Sequence, residues 1–368
     1  MSRLRIVQVI TRCVRGGAYQ VVRALLDRLP AAEFEQTLIA GPEAAPPEAL
    51  VVPELVREIR PGLDARALLR LTRIFAKERP DVVHAHTYKA GVVASVAGRL
   101  AGVPATIFTP HGHIFARGAN IPGVPGGLKL GVLRGITRVA QGCADRITAL
   151  SDSDLGQQVE LRLSPASKYV VVRNGIDADR FAGPRTRSFE GAPVIGAVGR
   201  FSEEKGHRYL LEAMARLRET LPEARLVLVG YGALEGDLRS RAAGLGLDGT
   251  VTFAGERDSS EVLRSFDVFV QPSLYESQGI AILEAMAAGV PVIATEVGGV
   301  GDAVRNEVTG LLVPPADPDA LASAVVRLAG DRVLSDRLSG EAARAVRERF
   351  SIASMLQAYS DLYRTLPA

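Results

Sequence analysis

Residues 268–294, VFVQPSLYESQGIAILEAMAAGVPVIA, decide the fold class. The apolar run Val268–Val270 is followed by a loop, by a helical run over Ile280–Ala288 and by a second apolar run, Val292–Ala294. This order predicts a βαβ unit, in which the two strands are parallel because the helix returns the chain to the same end of the sheet. The helical run is apolar nearly all round, so it predicts a helix buried inside an α/β domain.

The same alternation of strand-like and helical runs extends in both directions along the chain. Towards the N-terminus of this half, the pairs are Val194–Val198 with Tyr209–Thr220, Arg225–Val229 with Asp237–Ala243, and Val251–Phe253 with Ser260–Ser265. In the first half they are Arg5–Ile10 with Tyr19–Arg28, and Asp81–His84 with Gly91–Leu100 and then Ala105–Phe108. A cluster of glycine, proline and charged residues at Arg173–Gly191 predicts a linker. We therefore predict two doubly wound, Rossmann-like parallel-sheet domains facing across a cleft, and ligand-binding residues in the loops that follow strands.

Length, charge and cysteine content exclude several classes of protein. The chain has 368 residues, which is enough for two domains. Its formal net charge of +3 is too small for DNA binding by bulk electrostatics. Its two cysteines indicate neither a disulfide framework nor a thiolate zinc site. The apolar stretch Gly91–Phe108 contains Arg99 and Pro104, so no transmembrane helix is predicted. The expected location is the cytoplasm.

The strongest candidate site is a pair of carboxylates, Glu276 and Glu284, at a junction between loop and helix. Glu284 falls within the apolar helical run, and a buried carboxylate needs hydrogen-bond donors. A vicinal diol such as a ribose supplies two of them, while the helix N-terminus near Gly279 favours the negative charge of a phosphate. The alternative is a structural ion pair between Glu284 and a core arginine.

Three other loops carry candidate residues. Arg200 and Lys205 follow the strand Val194–Val198, where two cations can offset the charge of a diphosphate; the alternative is a solvated loop. Gly16 and Gly17 follow the first strand and let backbone N–H groups approach an anion, although many turns need such a pair. His111, after the strand Ala105–Phe108, can hydrogen-bond a sugar or move a proton.

Rival interpretations must also be weighed. Gly230-Tyr-Gly232 begins a passable dinucleotide fingerprint, with Glu256 as its acidic partner, but a dehydrogenase leaves the carboxylate and cation pairs unexplained. The pairs His84/His86 and His111/His113 have a spacing that a zinc site can use, yet no acidic ligand accompanies them in the expected pattern. Asp152-Ser-Asp154 mimics a metal-binding D-x-D motif. Because Ser151 precedes it at a predicted helix start, we interpret it as part of a helix cap.

In combination, these motifs resemble the retaining GT-B glycosyltransferases of family four over nearly the whole chain. The motifs that carry the resemblance are Glu276-x7-Glu284 with Ala285-Met286-Ala287, Arg200 with Lys205-Gly206, Asn174-Gly-Ile-Asp177, Gly230-Tyr-Gly232, Gly298-Gly299 and Gly310-Leu-Leu-Val-Pro-Pro-x-Asp317-Pro318. The resemblance implies that the helical run Phe350–Leu366 returns to the first domain. That domain would then comprise residues 1–178 and 351–368, and the nucleotide-sugar domain residues 179–350.

The resemblance also implies roles for the candidate residues. Glu284 would hold the nucleotide ribose, and Arg200 and Lys205 would hold the diphosphate. Glu276 would bind the hydroxyls of the donor sugar, and His111 would contact that sugar near its reacting carbon. His111 and Glu276 are the catalytic candidates. The remaining donor-binding candidates are Gly16, Gly17, Gly230, Glu256, Arg257, Gly279 and Ile280.

The implied function is metal-independent, retaining transfer from a UDP-sugar to a lipid-linked or other cell-envelope acceptor, with no cofactor and no nucleic-acid partner. The alternatives are a GT-B sugar-nucleotide epimerase and a non-catalytic sugar-nucleotide binding protein.

The segment Leu128–Cys143 is the candidate for contact with a membrane. Apolar residues recur at helical spacing, with Lys129, Arg134 and Arg138 elsewhere on the same helix. Such a helix can lie on an anionic membrane surface, which would give a peripheral association with the inner face of the membrane. The alternative is an ordinary domain helix whose apolar stripe faces the core.

Overall fold

The computed structural model describes residues 3–14, 16–112, 115, 127–183 and 192–366, and for residues 127–130 the backbone only. The described residues up to 175, together with those from 353 onwards, form one compact unit, and those from 176 to 352 form a second. We refer to them as unit 1 and unit 2.

Unit 1 contains, among its described residues, a sheet of seven parallel strands in the order β3-β2-β1-β4-β5-β6-β7. The strands are β1 (Leu4–Arg12), β2 (Phe34–Glu43), β3 (Leu50–Val51), β4 (Val82–His86), β5 (Ala105–Thr109), β6 (Arg146–Ala149) and β7 (Tyr169–Val171). Every residue of β4 and β5 is buried, as expected for central strands covered by helices on both faces.

Five helices accompany these strands in the described part of unit 1 that precedes residue 176. They are α1 (Gly17–Arg28), α2 (Pro61–Glu78), α3 (Tyr88–Ala101), α4 (Gly127–Cys143) and α5 (Asp152–Glu160). A 3-10 turn, Ala166–Lys168, precedes β7. Asp152 and Asp154 lie in the first turn of α5, and Ser151 caps that helix by accepting a hydrogen bond from the N–H of Asp154. The D-x-D sequence therefore belongs to a helix start, as predicted.

Unit 2 contains, in its described part, a sheet of six parallel strands in the order β10-β9-β8-β11-β12-β13. The strands are β8 (Val194–Val198), β9 (Arg225–Val229), β10 (Val251–Gly255), β11 (Val268–Gln271), β12 (Val292–Thr295) and β13 (Leu311–Val313). The helices are α6 (His207–Leu217), α7 (Glu235–Gly244), α8 (Ser259–Val262), α9 (Ile280–Ala287), α10 (Val300–Ala303), α11 (Pro318–Gly330) and α12 (Arg332–Arg349). The 3-10 turns are Ala178–Phe181, Glu203–Lys205 and Leu263–Ser265.

A final helix, α13 (Ile352–Thr365), returns to unit 1. Its buried Tyr363 donates to or accepts from His84 Nδ1 at 2.7 Å and lies 3.2 Å from Gln8 Nε2, so the helix packs on β1 and β4. The return of the last helix to the first domain is confirmed.

The predicted pair of parallel-sheet α/β domains is confirmed, including the buried helix α9 between β11 and β12. In both sheets the strand order reverses beside the first strand, between β1 and β4 in unit 1 and between β8 and β11 in unit 2. Loops on either side of such a switch point diverge and leave a crevice for ligands at the carboxyl ends of the strands. None of the helices in the described part of the chain is long and apolar enough to cross a membrane.

Candidate functional site

An ion pair between Lys205 and Glu276 lies at the switch point of unit 2. Lys205 belongs to the loop that follows β8, and Glu276 to the loop that follows β11. The Lys205 Nζ atom is 2.5 Å from Glu276 Oε1, and the two side chains are 20% and 9% exposed. The structure thus joins two predicted site residues that are 71 positions apart in the chain.

One carboxylate oxygen of Glu276, Oε1, accepts hydrogen bonds from three side chains. Besides Lys205, Gln271 Nε2 donates to Oε1 at 3.1 Å and Ser273 Oγ at 3.0 Å. The other carboxylate oxygen, Oε2, has no hydrogen-bond partner among the residues that the structure describes. The carboxylate is therefore held firmly through one oxygen while the second can accept a hydrogen bond from a ligand.

Backbone contacts hold the two loops together. The N–H groups of Leu274 and Tyr275 both donate to the carbonyl of Glu204, at 2.8 and 3.3 Å. Gly206 permits this approach, because a Cβ there would lie 2.0 Å from the carbonyl oxygen of Pro272 and its φ is +65°. Any larger residue would push the Lys205 loop away from the Glu276 loop.

A glycine pair supports Glu276 from behind. The Gly299 N–H donates to the carbonyl of Glu276 at 3.0 Å. A Cβ on Gly298 would lie 1.9 Å from the same carbonyl oxygen, and the φ of Gly298 is +50°. Only glycine satisfies both the conformation and the distance, which explains the Gly298-Gly299 motif physically.

Arg200 and Glu284 differ in their exposure to solvent. Arg200 is exposed, and its guanidinium makes no hydrogen bond or ion pair with any residue in the described ranges. Glu284 lies on α9 and is only 6% exposed, as the sequence predicted for a carboxylate in an apolar helix. Gly279 and Ile280 form the start of α9, whose first turn has no side-chain cap, so its N–H groups are available to an anion.

The other predicted residues of unit 2 lie further along the sheet. Gly230 follows β9, and its N–H donates to the carbonyl of Gly255 at 2.8 Å. Glu256 and Arg257 are exposed and follow β10, the edge strand, which two strands separate from β11. Within the described part of the chain, the side-chain hydrogen bonds of Lys205 and Glu276 involve neither Glu256 nor Arg257.

His207 is a buried residue of this site that the sequence analysis missed. It is 2% exposed, its ring packs edge-on to Phe201 with 5.2 Å between centroids, and neither ring nitrogen has a hydrogen-bond partner in the described part of the chain. Burial, together with the nearby charge of Lys205, lowers the pKa of His207 to about 3. Its position directly after the Lys205-Gly206 pair was the available signal.

In unit 1, Gly16 and Gly17 lie where β1 gives way to α1. The Gly16 carbonyl accepts from the Gln20 N–H at 3.0 Å, and no side chain caps the first turn of α1. The backbone N–H groups there remain available to an anion. Arg15, beside them, lies outside the described residues.

The described histidines of unit 1 form hydrogen bonds with one another and with neighbouring side chains. His84 Nε2 lies 2.7 Å from Thr109 Oγ1, and His86 Nδ1 lies 2.9 Å from His111 Nε2. Among the described residues, no group of three or more His, Cys, Asp or Glu side chains is arranged to hold a metal ion. Burial lowers the pKa of His111 to about 3. His113 lies outside the described residues.

Helix α4 exposes three of the five aliphatic side chains that the structure describes between residues 131 and 140. Leu133 and Ala140 are buried, whereas Val132, Ile136 and Val139 are 59%, 45% and 62% exposed. The exposed three recur at intervals of four and three residues and so form one stripe along the helix. The predicted apolar stripe is therefore divided between the core and the surface. The side chains of Leu128 and Lys129 lie outside the described residues.

Comparison with known proteins assigns the family. Residues 192–331 match the family described as glycosyl transferases group 1, and residues 15–180 match Glycosyltransferase Family 4. The UDP-Gal:alpha-D-GlcNAc-diphosphoundecaprenol alpha-1,3-galactosyltransferase of Escherichia coli is 31% identical over 98% of this chain and 97% of its own. The chain belongs to the group 1 glycosyltransferases.

Other relatives of this glycosyltransferase agree with that assignment. The capsular polysaccharide biosynthesis glycosyltransferase CapM of Staphylococcus aureus is 28% identical over 86% of this chain and 85% of its own. Among solved structures, Anabaena Alr3699/HepE in complex with UDP and glucose superposes with a TM-score of 0.82 at 21% identity, covering 99% of this chain and 100% of that one. This likeness shows that the glycosyltransferase has the GT-B fold.

Proposed function

We propose that this glycosyltransferase transfers a sugar from a UDP-sugar to a lipid-linked or other cell-envelope glycan. The observation that carries the proposal is the cluster at the switch point of unit 2. There Lys205 and Glu276 are paired, Glu276 keeps one oxygen without a partner in the described residues, and Arg200 lies on the same loop as Lys205. Two cations suit a diphosphate, and an open carboxylate oxygen suits a sugar hydroxyl.

The comparisons support this choice of donor and acceptor. The E. coli relative is named for transfer from UDP-Gal to a GlcNAc-diphosphoundecaprenol acceptor, and the S. aureus relative for capsular polysaccharide biosynthesis. The Anabaena protein of the same fold was solved with UDP and glucose. A UDP-hexose donor and an acceptor on a lipid diphosphate are therefore the first substrates to test.

The proposed roles follow the chemistry of each residue. Arg200 and Lys205 stabilise the charge that develops on the departing diphosphate, which makes a metal ion unnecessary. Glu276 accepts a hydrogen bond from a donor-sugar hydroxyl, and buried Glu284 accepts two from the ribose. We assign the uncapped N–H groups of α9, at Gly279 and Ile280, to the phosphates.

The proposed reaction retains the anomeric configuration. The bond between the sugar C1 and the diphosphate oxygen breaks, and the electron pair leaves with UDP. The acceptor hydroxyl oxygen forms its bond to C1 on the same face, and its proton passes to the diphosphate. No protein nucleophile is required in this scheme, so the protein acts by positioning and by stabilising charge.

We further propose that α4 brings unit 1 to the membrane surface where a lipid-linked acceptor lies. The exposed stripe of Val132, Ile136 and Val139 supplies apolar contact, and exposed Arg134 and Arg138 supply attraction to anionic lipid headgroups. Such an association is peripheral and weakens with salt.

A donor screen tests the proposal. The protein is incubated with common UDP- and GDP-sugars, each with and without GlcNAc-diphosphoundecaprenol, and products are identified by mass spectrometry and the anomeric configuration by NMR. We expect transfer from a UDP-hexose with an α-linked product and without added divalent metal. Conversion of the donor without acceptor to its epimer would indicate an epimerase, and binding without any turnover would indicate a binding protein. An inverted product or a strict metal requirement would contradict the proposed mechanism.

A further inference from the structure

A line of hydrogen bonds in unit 1 connects a backbone carbonyl on α1 to His111. Gln36 Nε2 donates to the Leu25 carbonyl at 2.6 Å, and Gln8 Nε2 donates to Gln36 Oε1 at 2.9 Å. Gln8 Oε1 lies 2.8 Å from His86 Nε2, and His86 Nδ1 lies 2.9 Å from His111 Nε2. Gln8 and His86 are fully buried, so water does not compete for the hydrogen bond between them, and the other three bonds are partly buried.

The direction of the first two bonds is determined by the carbonyl of Leu25. A carbonyl only accepts, so the amide NH2 of Gln36 faces it and the amide oxygen of Gln36 faces Gln8. That oxygen in turn requires a donor, so Gln8 presents its NH2 to Gln36 and its own oxygen to His86. The orientation of both amides follows from chemistry alone.

The same argument determines which ring nitrogens of His86 and His111 carry a proton. Because the oxygen of Gln8 accepts, His86 carries its proton on Nε2. Burial lowers the pKa of both His86 and His111, so each ring is neutral and has one proton. The Nδ1 of His86 is then an acceptor, and the Nε2 of His111 must donate to it. His111 is left with an unprotonated Nδ1.

The hydrogen bonds end at Nδ1 of His111. The His111 Nδ1 atom is buried and has no hydrogen-bond partner among the described residues. His111 also has φ +56°, a left-handed conformation that a non-glycine residue rarely adopts. A strained backbone that presents an unsatisfied acceptor is characteristic of a functional site. An unprotonated nitrogen cannot donate to a phosphate oxygen, whereas it can accept from a hydroxyl.

We propose that Gln8 is a positioning residue for sugar transfer: through His86 it holds His111 as the Nε2–H tautomer, so that Nδ1 accepts a hydrogen bond from a sugar hydroxyl of the substrate. The proposal rests on the proposed function for the identity of the substrate, and on the hydrogen-bond line for the tautomer. Gln8 touches no substrate itself and acts only through the two rings.

The tautomer is measured directly by NMR of the complete protein labelled with 15N at histidine. In a long-range 1H–15N correlation spectrum without substrate, we expect His111 to show a protonated Nε2 and an unprotonated Nδ1, and His86 to show the same pattern. The Nδ1–H tautomer of His111, or a charged ring near neutral pH, would overturn the proposal. This measurement does not depend on any variant or on the proposed reaction.

Two variants separate positioning from structural support. Gln8→Met removes the oxygen that accepts from His86, so His86 and His111 become free to exchange tautomers and the His111 signals should shift towards a mixture. Tyr363→Phe is the matched control, because it removes a hydroxyl from the same buried network, next to Gln8 and His84, without breaking the line to His111. We expect its His111 signals to match those of the unmodified protein. An unchanged His111 tautomer in Gln8→Met would contradict the positioning role.

Kinetics identify the source of the hydroxyl. With the UDP-sugar found in the donor screen, Gln8→Met should lower kcat by about tenfold with little change in KM, since one neutral hydrogen bond in the transition state is weakened. If the hydroxyl belongs to the donor, hydrolysis of the UDP-sugar without acceptor and transfer to GlcNAc-diphosphoundecaprenol both slow. If it belongs to the acceptor, only transfer slows.

Two outcomes would contradict different proposals. Unchanged rates of both reactions, with the tautomer altered, would overturn the positioning role of Gln8. Absence of turnover with every sugar nucleotide would contradict the proposed function itself.

Discussion

Arg200 is the exposed cation of the unit 2 site, without a partner in the described part of the chain. We predict that Arg200→Ala lowers kcat by about 10²–10³, because a preorganised positive charge no longer stabilises the leaving diphosphate. The fold should be unaffected, since no described contact is lost. Steady-state kinetics with the preferred UDP-sugar provide the measurement.

A matched control for Arg200 lies in the same unit. Arg216 is also an exposed arginine, on α6, and its ion pair with Asp319 is at the surface. Arg216→Ala should keep normal turnover, because exposed ion pairs contribute little. Equal turnover of the two variants and the unmodified protein would assign Arg200 to a solvated loop.

Glu276 and Glu284 are predicted to differ in their effect on free UDP. Glu284→Gln should weaken UDP binding about tenfold or more, because an ionised acceptor for the ribose is lost. Glu276→Gln should leave UDP affinity unchanged or higher, because it releases the charge of Lys205 from its ion pair, while use of the intact donor falls. Isothermal titration calorimetry with UDP decides between the roles, and equal affinity in both variants would refute the ribose assignment of Glu284.

At this scale the sequence proposed candidate residues but not the contacts between them. The carboxylate pair and the cation pair were identified from motifs, but the contact between Lys205 and Glu276 joins loops from two different strands, and spacing along the chain does not encode it. The pair His84/His86 illustrates the same limit. Both rings lie on β4 with 3.9 Å between their centroids, as a spacing of two residues on a strand allows, whereas Tyr363, a hydrogen-bond partner of His84, is 279 positions away in the chain.

The junction between β12 and α10 supports the Glu276 loop through Gly298. We predict that Gly298→Ala lowers kcat at least tenfold, because its Cβ would lie 1.9 Å from the Glu276 carbonyl oxygen and displace the loop. Gly289→Ala is the matched control: its φ is +67°, but a Cβ there has no atom within 4 Å. Both variants should lose about 1 kcal/mol of stability to backbone strain, and Gly298→Ala should lose more because its Cβ also clashes with the Glu276 carbonyl oxygen. Urea unfolding measures both losses. Only Gly298→Ala should lose turnover per folded molecule. Equal turnover of the two folded variants would show that Gly298 does not position Glu276.

Helix α4 is predicted to bind anionic membranes through its exposed stripe. Replacing Val132, Ile136 and Val139 by serine should abolish co-sedimentation with vesicles containing anionic lipid, because the buried apolar contact is lost. Replacing Arg134 and Arg138 by serine should weaken binding and reduce its dependence on salt, since each basic residue near an anionic surface contributes about 1 kcal/mol.

The control for α4 removes exposed apolar side chains elsewhere. Leu69, Leu100 and Val333 are 56%, 64% and 81% exposed and lie on three different helices. Serine at these three positions should leave vesicle binding unchanged, because they form no common stripe. Binding that is indifferent to lipid charge, or lost equally in both triple variants, would contradict a specific role for α4.

Elements were predicted well where their pattern was strongly periodic. The βαβ unit over 268–294 appears with helix α9 at Ile280–Ala287, and the last helix over Ile352–Thr365. For α4 the pattern identified a helix with an apolar stripe, but it could not show that Leu133 is covered while Val132 is open. Which side of a stripe is buried depends on the elements packed against it, and those are distant in sequence.

Across the whole molecule, buried histidines predict that unit 1 is the more sensitive of the two units to acid. In the described residues, His84, His86 and His111 belong to unit 1 and His207 to unit 2, and burial lowers the pKa of all four. The unfolded state therefore binds more protons than the folded state below the unfolded pKa of about 6.5. Stability is complete above that pH and falls as pH drops towards the folded values. Each such histidine changes the folding equilibrium about tenfold per pH unit.

Hydrogen exchange with mass spectrometry measures this difference between the units. The exchange rates are first corrected for the intrinsic rate at each pH. As the pH falls from 7.5 to 5, peptides from β1 and β4 should lose protection at a higher pH than peptides from β8 and β11. Few carboxylates titrate in that range, so the histidines dominate the change. Earlier loss of protection in β8 and β11 would contradict the prediction.

The return of α13 to unit 1 bears on the order of events during synthesis. Tyr363 completes hydrogen bonds to His84 and to Gln8, and it is separated from Gln8 by 355 positions. The described residues of unit 2 all lie between residues 176 and 352, so they are translated before α13. Unit 1 is translated first, yet it waits for the last helix before His84 has its hydroxyl partner. The nascent chain therefore carries an unfinished first unit while the second is made, and His84 and Gln8 gain the Tyr363 hydroxyl only after α13, which is translated after unit 2, has left the ribosome.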